Sequence, residues 1–135
     1  MSAFSEYTRR RVLESLLCGV PWTPPETLYM GLFTEDGEVV GEGYSRLPVS
    51  PKSWHTVRSD DKVTRVANDR LEFPVARADW AGGKKISEWR CFDAATGGNH
   101  ILTGLIAEGK TRSIEDGDAF YFPSGNVVID LGQVG

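Results

Sequence analysis

The segment Trp89–Leu102 constrains the fold more than any other part of this chain, because it predicts two strands joined by a tight polar turn. Gly97, Gly98 and Asn99 all tolerate the positive φ that such a turn needs. Short apolar runs separated by clusters of Gly, Asp, Asn and Pro recur along the chain, and 15 glycines and 7 prolines in 135 residues fit many turns. The sequence therefore predicts a mainly β protein.

Alternating apolar residues mark several of the predicted strands. The segment Thr27–Thr34 is apolar on both faces, which predicts a central, well-covered strand. Residues 71–75 alternate as in a half-buried strand, but Pro74 indicates an edge position. Val127–Leu131 predicts a final strand. About seven or eight strands at this spacing are typical of an antiparallel, jelly-roll-like β-sandwich.

One amphipathic helix is expected before the strands, over residues 5–17. Ser5 is a plausible N-cap, Glu6 suits the first turn, and Gly19 and Pro21 end the helix. Its apolar stripe consists of Val12, Leu13, Leu16 and Leu17. We expect this stripe to pack on the domain, with a partner subunit as the alternative.

The length suits one domain, and no linker divides the chain. We therefore expect a single domain over residues 1–135, with the helix in 1–20 and the sandwich in 21–135. The four tryptophans are expected to cap the core, and Trp80, between Asp79 and Gly82, is the one for which exposure in a loop is the main alternative. Trp54 is the other loop tryptophan that could stack on a sugar.

The bulk composition excludes several classes of function. A net charge of −4 and the lack of a long basic run argue against nucleic-acid binding. No apolar stretch of about 20 residues predicts a membrane span, and the polar N-terminus does not predict a signal peptide. Cys18 and Cys91 lie far apart and are expected to be buried, reduced side chains of a protein made in a cytoplasm.

No cluster of residues predicts catalysis, a metal site or a cofactor. His55 and His100 have no ligand at a useful spacing and are expected at the surface. A nucleophilic pair of Cys91 and His100 lacks a third, orienting group. The acidic runs Asp60–Asp61 and Glu115–Asp118 could suggest a hydrolase or a weak calcium site, but they are typical of turns.

Several blocks of sequence carry a family resemblance. They are Trp22–Thr34, Gly43–Arg46, Leu71–Pro74 with Asp79–Trp80, Phe92–Asn99 and Gly117–Phe122. Together they resemble a family of short tailed-bacteriophage structural proteins, often labelled tail-fibre-like or minor tail proteins. The resemblance covers nearly the whole chain, and residues 24–34 and 92–99 are its most specific parts. Residues 48–66 depart from it by carrying more charge, which makes them a candidate for a partner-specific contact.

The resemblance implies a non-enzymatic virion protein that is made in the bacterial host cytoplasm. It implies contacts with other virion proteins and a homo-oligomer in a symmetric assembly. On this interpretation the partner-binding residues are Val12, Leu13, Leu16, Leu17, Pro24 and Pro25. The alternatives are a capsid decoration protein, or a carbohydrate- or receptor-binding module that holds a host glycan with Trp54 and Trp80.

Overall fold

The computed structural model describes residues 3–57, 61, 63–106 and 111–131. In this part of the chain one helix, α1 (Glu6–Leu17), precedes ten short strands. The strands are β1 (Leu28–Thr34), β2 (Gly37–Glu38), β3 (Leu47–Val49), β4 (Trp54–Val57), β5 (Arg65–Asn68), β6 (Leu71–Glu72), β7 (Glu88–Phe92), β8 (His100–Leu105), β9 (Tyr121–Phe122) and β10 (Val128–Ile129). The predicted mainly β architecture with an N-terminal helix is confirmed.

The strands form three antiparallel sheets. The largest has the order β2-β1-β7-β8, with β3 also paired to β1. A second sheet has the order β10-β5-β4, and β6 pairs with β9 in the third. The prediction of a central β1 is confirmed, because this strand has partners on both edges and buries Met30 and Leu32 completely.

Several strands are shorter than their apolar alternation predicts. Of residues 71–75, only Leu71 and Glu72 pair with β9, and Val75 is exposed. Pro74 has no N–H to continue the ladder. At the C-terminal side only Val128 and Ile129 pair with β5. The alternation of apolar residues indicates which side chains can face a core. The length of a strand also depends on how far a partner strand pairs with it.

The hairpin predicted from residues 89–102 is confirmed, with β7 and β8 as its strands. Its turn is stabilised by Asp93, whose Oδ1 accepts from the Asn99 backbone N at 2.7 Å and whose Oδ2 accepts from Asn99 Nδ2 at 2.9 Å. Gly97 and Gly98 have φ of 61° and 79°, in the left-handed region that the turn requires.

Trp80 lies in the core, so the alternative that its indole is exposed in a loop is wrong. Its side chain is completely buried, and its Nε1 donates to the Glu42 carbonyl at 3.0 Å. The ring packs edge-on against Tyr44, with centroids 5.2 Å apart. Gly41 makes room for it, because a Cβ there would lie 2.5 Å from Trp80 Cδ1. Trp80 begins a short 3-10 turn, Trp80–Gly83. Its burial depends on contacts with Glu42 and Tyr44, which are distant in sequence, so the composition of the loop does not predict it.

The two cysteines differ in environment. Cys91 is buried as expected, and burial raises the pKa of its thiol to about 12. Cys18 is exposed, contrary to the prediction, because it follows the last turn of α1, where Leu16 and Leu17 are also exposed.

The N-terminal end of α1 is fixed to β8 by hydrogen bonds. Ser5 caps the helix by accepting from Thr8 N at 3.1 Å, and its backbone N donates to the Ile101 carbonyl at 2.9 Å. Thr8 Oγ1 donates to the same carbonyl at 3.0 Å, and Thr103 N donates to the Ala3 carbonyl at 2.8 Å. Residues 3–5 therefore pair along the edge of β8 before the helix begins.

The contact between Gly104 and Trp89 joins β7 to β8 inside the core. These residues are directly opposite in the ladder, and the nearly buried indole lies over the glycine. A Cβ at Gly104 would stand 2.3 Å from Trp89 Cε2 and Cζ2. Since an indole is rigid and its neighbours are packed, only glycine fits at this position.

Replacing Gly104 with Ala should lower the free energy of unfolding by about 1–3 kcal/mol, because the new methyl group overpacks against Trp89. Chemical denaturation monitored by tryptophan fluorescence measures the change. Leu105→Ala on the same strand is the matched control, since Leu105 is exposed, and a change within about 0.5 kcal/mol is expected. Equal stability of the wild type and Gly104→Ala would contradict the packing argument.

Candidate attachment surface

The two sides of α1 have opposite environments. Thr8 is buried against β8 and Tyr7 packs partly against the core. On the other side Leu13, Leu16 and Leu17 are 56%, 76% and 79% exposed. The expectation that the whole stripe packs on the domain is therefore wrong for these leucines. We refer to Leu13, Leu16 and Leu17 with the charged residues around them as the outward face of α1.

The docked side of α1 differs from the predicted one because the docking groups are small and polar. Ser5 and Thr8 bind β8 through hydrogen bonds, whereas a helical wheel draws attention to the leucines. Val12 is half-buried and lies between the two sides. The sequence did predict Ser5 as the N-cap. Because the same residue also binds β8, the position of Ser5 was the available sign of the docked side.

Charged residues border the outward face of α1. Arg9 pairs with Glu6 at 2.9 Å and Arg10 pairs with Glu14 at 3.1 Å. These are exposed pairs one helical turn apart, which contribute only a few tenths of a kcal/mol each, about 0.3–0.5. Together with Leu13, Leu17 and Cys18, they line a shallow depression on the helix. The face therefore has an apolar centre and a charged border of both signs.

The segment that follows α1 is also accessible. Val20 and Pro24 are exposed, and Trp22 and Pro25 are half-buried. Proline restricts its own φ and the conformation of the preceding residue, so Pro24 and Pro25 stiffen this segment. Of the predicted attachment residues on α1 and in this segment, Leu13, Leu16, Leu17 and Pro24 are exposed, whereas Val12 and Pro25 are half-buried.

The two tryptophans predicted to hold a glycan are not equally available. Trp80 has no exposed surface, so in this structure its indole cannot stack on a sugar. Trp54 begins β4, is half-buried and packs partly against the core. Binding of a glycan by Trp54 stays a prediction.

The residues considered for chemistry are engaged in structural contacts. Cys91 pairs with Leu102 across the hairpin, whereas His100 pairs with Phe92. His100 Nε2 lies 2.9 Å from the Leu102 carbonyl oxygen, and burial lowers the pKa of the imidazole. The high pKa of the Cys91 thiol keeps it protonated, so this cysteine is a poor nucleophile.

The acidic turns bind neighbouring groups of the chain. Asp118 Oδ2 accepts from the backbone N of Glu115 at 2.9 Å, as the turn interpretation predicts. Asp61 pairs with Arg65 at 2.8 Å, and Asp60 lies outside the described residues. No group of three or more His, Cys, Asp or Glu in the described part of the chain could hold a metal ion. His55 is exposed, and its Nδ1 lies 3.2 Å from Asp69 Oδ1.

Arg46 connects two of the sequence blocks that carry the family resemblance, Gly43–Arg46 and Phe92–Asn99. Its guanidinium makes two hydrogen bonds to the Glu38 carboxylate, both 2.9 Å, and donates to the carbonyls of Ala94 and Gly97 at 3.0 and 2.8 Å. It also lies 3.8 Å from the centroid of the Phe92 ring, a cation–π contact. Arg46 thus fixes the 93–99 turn to the end of the largest sheet.

The Glu38 carboxylate has a second partner, Tyr44. The Tyr44 hydroxyl donates to Glu38 Oε2 at 2.6 Å and accepts from the Leu32 backbone N at 3.2 Å. Burial raises the pKa of Glu38, but the hydrogen bonds from Arg46 and Tyr44 outweigh it, and the net pKa lies below 4.5. Burial and the hydrogen bond to Glu38 raise the pKa of Tyr44, so it remains a donor.

Comparison with known protein families agrees with the resemblance that the sequence blocks indicate. The family model of the podophage GP4 fiber I protein gp80 matches residues 3–130. The chain belongs to this family. No curated protein matches it. The resemblance to phage tail-fibre-like proteins is confirmed, and membership of a podophage fibre family makes this chain a structural protein of the virion.

The geometry around Arg46 gives a physical reason for two blocks of this podophage fibre protein. Gly43–Arg46 supplies the guanidinium, and Phe92–Asn99 supplies the ring and carbonyls that it contacts. Gly43 has a φ of 89°, and a Cβ there would meet the Val75 carbonyl oxygen at 2.8 Å.

In the described part of the chain no helix has the length and apolar character needed to cross a bilayer.

Replacing Glu38 with Gln should lower the free energy of unfolding at pH 7 by about 1–3 kcal/mol, because Arg46 loses its charged partner. The folded-state pKa of Glu38 is lowered from 4.5. Its stabilising effect is therefore complete above about pH 4.5 and is lost as the pH falls through the folded-state value. The stability difference between wild type and Glu38→Gln, measured by denaturation from pH 7 to pH 2, should shrink below pH 4.5.

The exposed Glu26 provides a control, since Glu26→Gln should leave stability within about 0.5 kcal/mol at every pH. A stability difference for Glu38→Gln that is as large at pH 2 as at pH 7 would show that the carboxylate charge does not stabilise the fold.

Proposed function

We propose that this podophage fibre protein is a non-enzymatic structural module that is built into the virion through the outward face of α1 and the Pro24–Pro25 segment. The observation that carries the proposal is the exposure of Leu13, Leu16 and Leu17 on a helix whose opposite side is already docked. A virion protein must present a surface to a neighbour, and this face has the chemistry of such a surface.

Three leucines on one short helix are costly to leave in water. Burying a leucine side chain contributes about 1.5–3 kcal/mol, so a partner that covers this face gains a substantial driving force. Scattered surface leucines need no explanation, but a cluster bordered by charges is typical of protein–protein contacts. The arrangement therefore favours a binding role over a merely tolerated exposure.

The anchoring of α1 gives the outward face a fixed direction. Ser5 and Thr8 bind the backbone of β8, a strand that shares its other edge with β7 in the largest sheet. A face held this way is ordered before binding, which lowers the entropic cost of docking. Pro24 and Pro25 restrict the chain that leaves the helix and support the same preorganisation.

A catalytic role has less support from the contacts in this protein. The buried Cys91 thiol is held protonated, and Asp118 satisfies a backbone N–H of its own turn. The family description favours a fibre component over a capsid decoration protein. Carbohydrate binding lacks the contribution expected from Trp80, since that indole is buried.

Particle assembly tests the proposal directly. Phage that carry Leu13→Asp together with Leu16→Asp should incorporate the protein at least about tenfold less than wild type, because the carboxylates would be desolvated at the contact. Incorporation is measured by quantitative mass spectrometry of purified particles. The purified variant should keep the wild-type circular dichroism spectrum, because both leucines are exposed.

Leu105→Asp is the matched control, since Leu105 is a leucine on β8 that is 80% exposed and lies outside α1. It should incorporate normally. Normal incorporation of a folded Leu13→Asp, Leu16→Asp variant would exclude the helix face as the attachment element.

A further inference from the structure

A groove opens between the β7–β8 hairpin and the part of the chain that contains β9 and leads into β10. Its volume is about 610 Å³, which is in the range of sites that hold small ligands. Phe120, Phe122 and Val127 are buried and form its floor, whereas Arg112 and Asn126 are exposed and form its rim. The groove therefore has an apolar floor with a polar border.

The indole of Trp89 supplies a hydrogen-bond donor to this groove. Trp89 is only 5% exposed, and it lines the groove. Its Nε1 makes no hydrogen bond in the described part of the chain, where every buried side-chain nitrogen or oxygen has a partner. The indole N–H must therefore reach the opening that Trp89 lines. A donor on a largely apolar surface favours a ligand that supplies an acceptor.

Arg112 adds a positive charge at the rim. Its Nη2 donates to the Ala119 carbonyl at 2.7 Å, and its Cζ lies 5.5 Å from the centroid of the Phe120 ring. These contacts hold the guanidinium beside the groove, yet it forms no ion pair within the described ranges. The described residues that line the groove include no other charged side chain. The site therefore attracts an anion, and a guanidinium binds a carboxylate through strong, charge-assisted hydrogen bonds.

The backbone around the groove is poorly suited to an added peptide strand. Strand addition needs a row of free backbone groups along a sheet edge. β9 is only two residues long, and the carbonyls of Ala119 and Phe120 that precede it already accept from Arg112 Nη2 and from the Phe73 backbone N. A sugar ring needs no such edge, because its C–H face can pack on an apolar floor while its oxygens meet donors around it.

We propose that this groove binds an acidic saccharide, a sugar ring that carries a carboxylate. The carboxylate pairs with Arg112, and a sugar oxygen accepts from Trp89 Nε1. The side-chain amide of Asn126, which can donate and accept, serves neighbouring hydroxyl groups. The site uses neither Trp54 nor Trp80, and the residues that form it lie outside α1. It is therefore independent of the attachment role proposed above.

An oligosaccharide array tests the class of ligand with the purified full-length protein. The probes are sugars that contain uronic or sialic acid, each beside a neutral counterpart without the carboxylate. The protein should bind the acidic probes at least about tenfold more tightly, and this preference should shrink at high salt. Binding of no acidic probe, or equal binding of both kinds, would overturn the proposal. Tighter binding of peptides with a free C-terminal carboxylate would assign the groove to a protein partner instead.

Substitution of Arg112 tests the position of the carboxylate. Arg112→Gln should weaken binding of the tightest acidic probe about tenfold in isothermal titration calorimetry, because a neutral amide cannot form the ion pair. Arg77→Gln is the matched control, since Arg77 is an exposed arginine outside the groove and its loss should leave the affinity unchanged. Equal affinities of the wild type and a folded Arg112→Gln variant would exclude this groove as the site.

Nuclear magnetic resonance of the wild-type indole groups tests the same site without a substitution. The acidic probe should shift the Trp89 Nε1–H resonance, whereas that of Trp80, which is buried and donates to the Glu42 carbonyl, should stay in place. An unchanged Trp89 resonance at saturating probe would contradict the contact. Arg112→Gln should leave incorporation into particles normal, so saccharide binding and attachment through α1 can fail separately.

Discussion

The guanidinium of Arg46 is the interaction on which the arrangement of the largest sheet depends. The Arg46 side chain is only 8% exposed, and its guanidinium joins the Glu38 carboxylate in β2 to two carbonyls of the 93–99 turn. A buried cation is tolerated only when its donors are satisfied. Because those acceptors come from segments far apart in sequence, the positions of β2, the turn and Phe92 cannot vary independently.

Backbone polar groups must also be satisfied, and this need explains how a small polar contact can hold α1 against β8. The first turn of the helix has free backbone donors, and the neighbouring edge of β8 has free carbonyls. Ser5 and Thr8 satisfy both sets with short side chains. A leucine cannot make such a bond, so the leucines of α1 are left for the opposite side. The exposed apolar face is thus a consequence of the way the helix is attached to the sheet.

Sequence patterns predicted the elements of this fold better than the directions of individual side chains. The hairpin 89–102, the central strand β1 and the Ser5 cap follow from local chemistry, namely turn residues, alternation and a hydroxyl before a helical repeat. The sequence left exposure of Trp80 open as an alternative, because its burial depends on Glu42 and Tyr44, which lie far away in sequence. The lengths of β6 and β10 were overestimated for a similar reason, since a strand extends only as far as a distant partner continues the ladder.

The candidate site shows the same division between local and non-local information. Leu13, Leu16, Leu17, Pro24 and Pro25 could be selected from the sequence because apolar spacing and proline are local signals. Which side of the helix faces solvent depends on the contact with β8, and that contact is visible only in the folded chain. A rigid sheet fixed by Arg46 and a helix fixed at one end leave the leucine face in a defined orientation. A surface of this kind suits a repeating assembly, in which every copy must present the same contact in the same geometry.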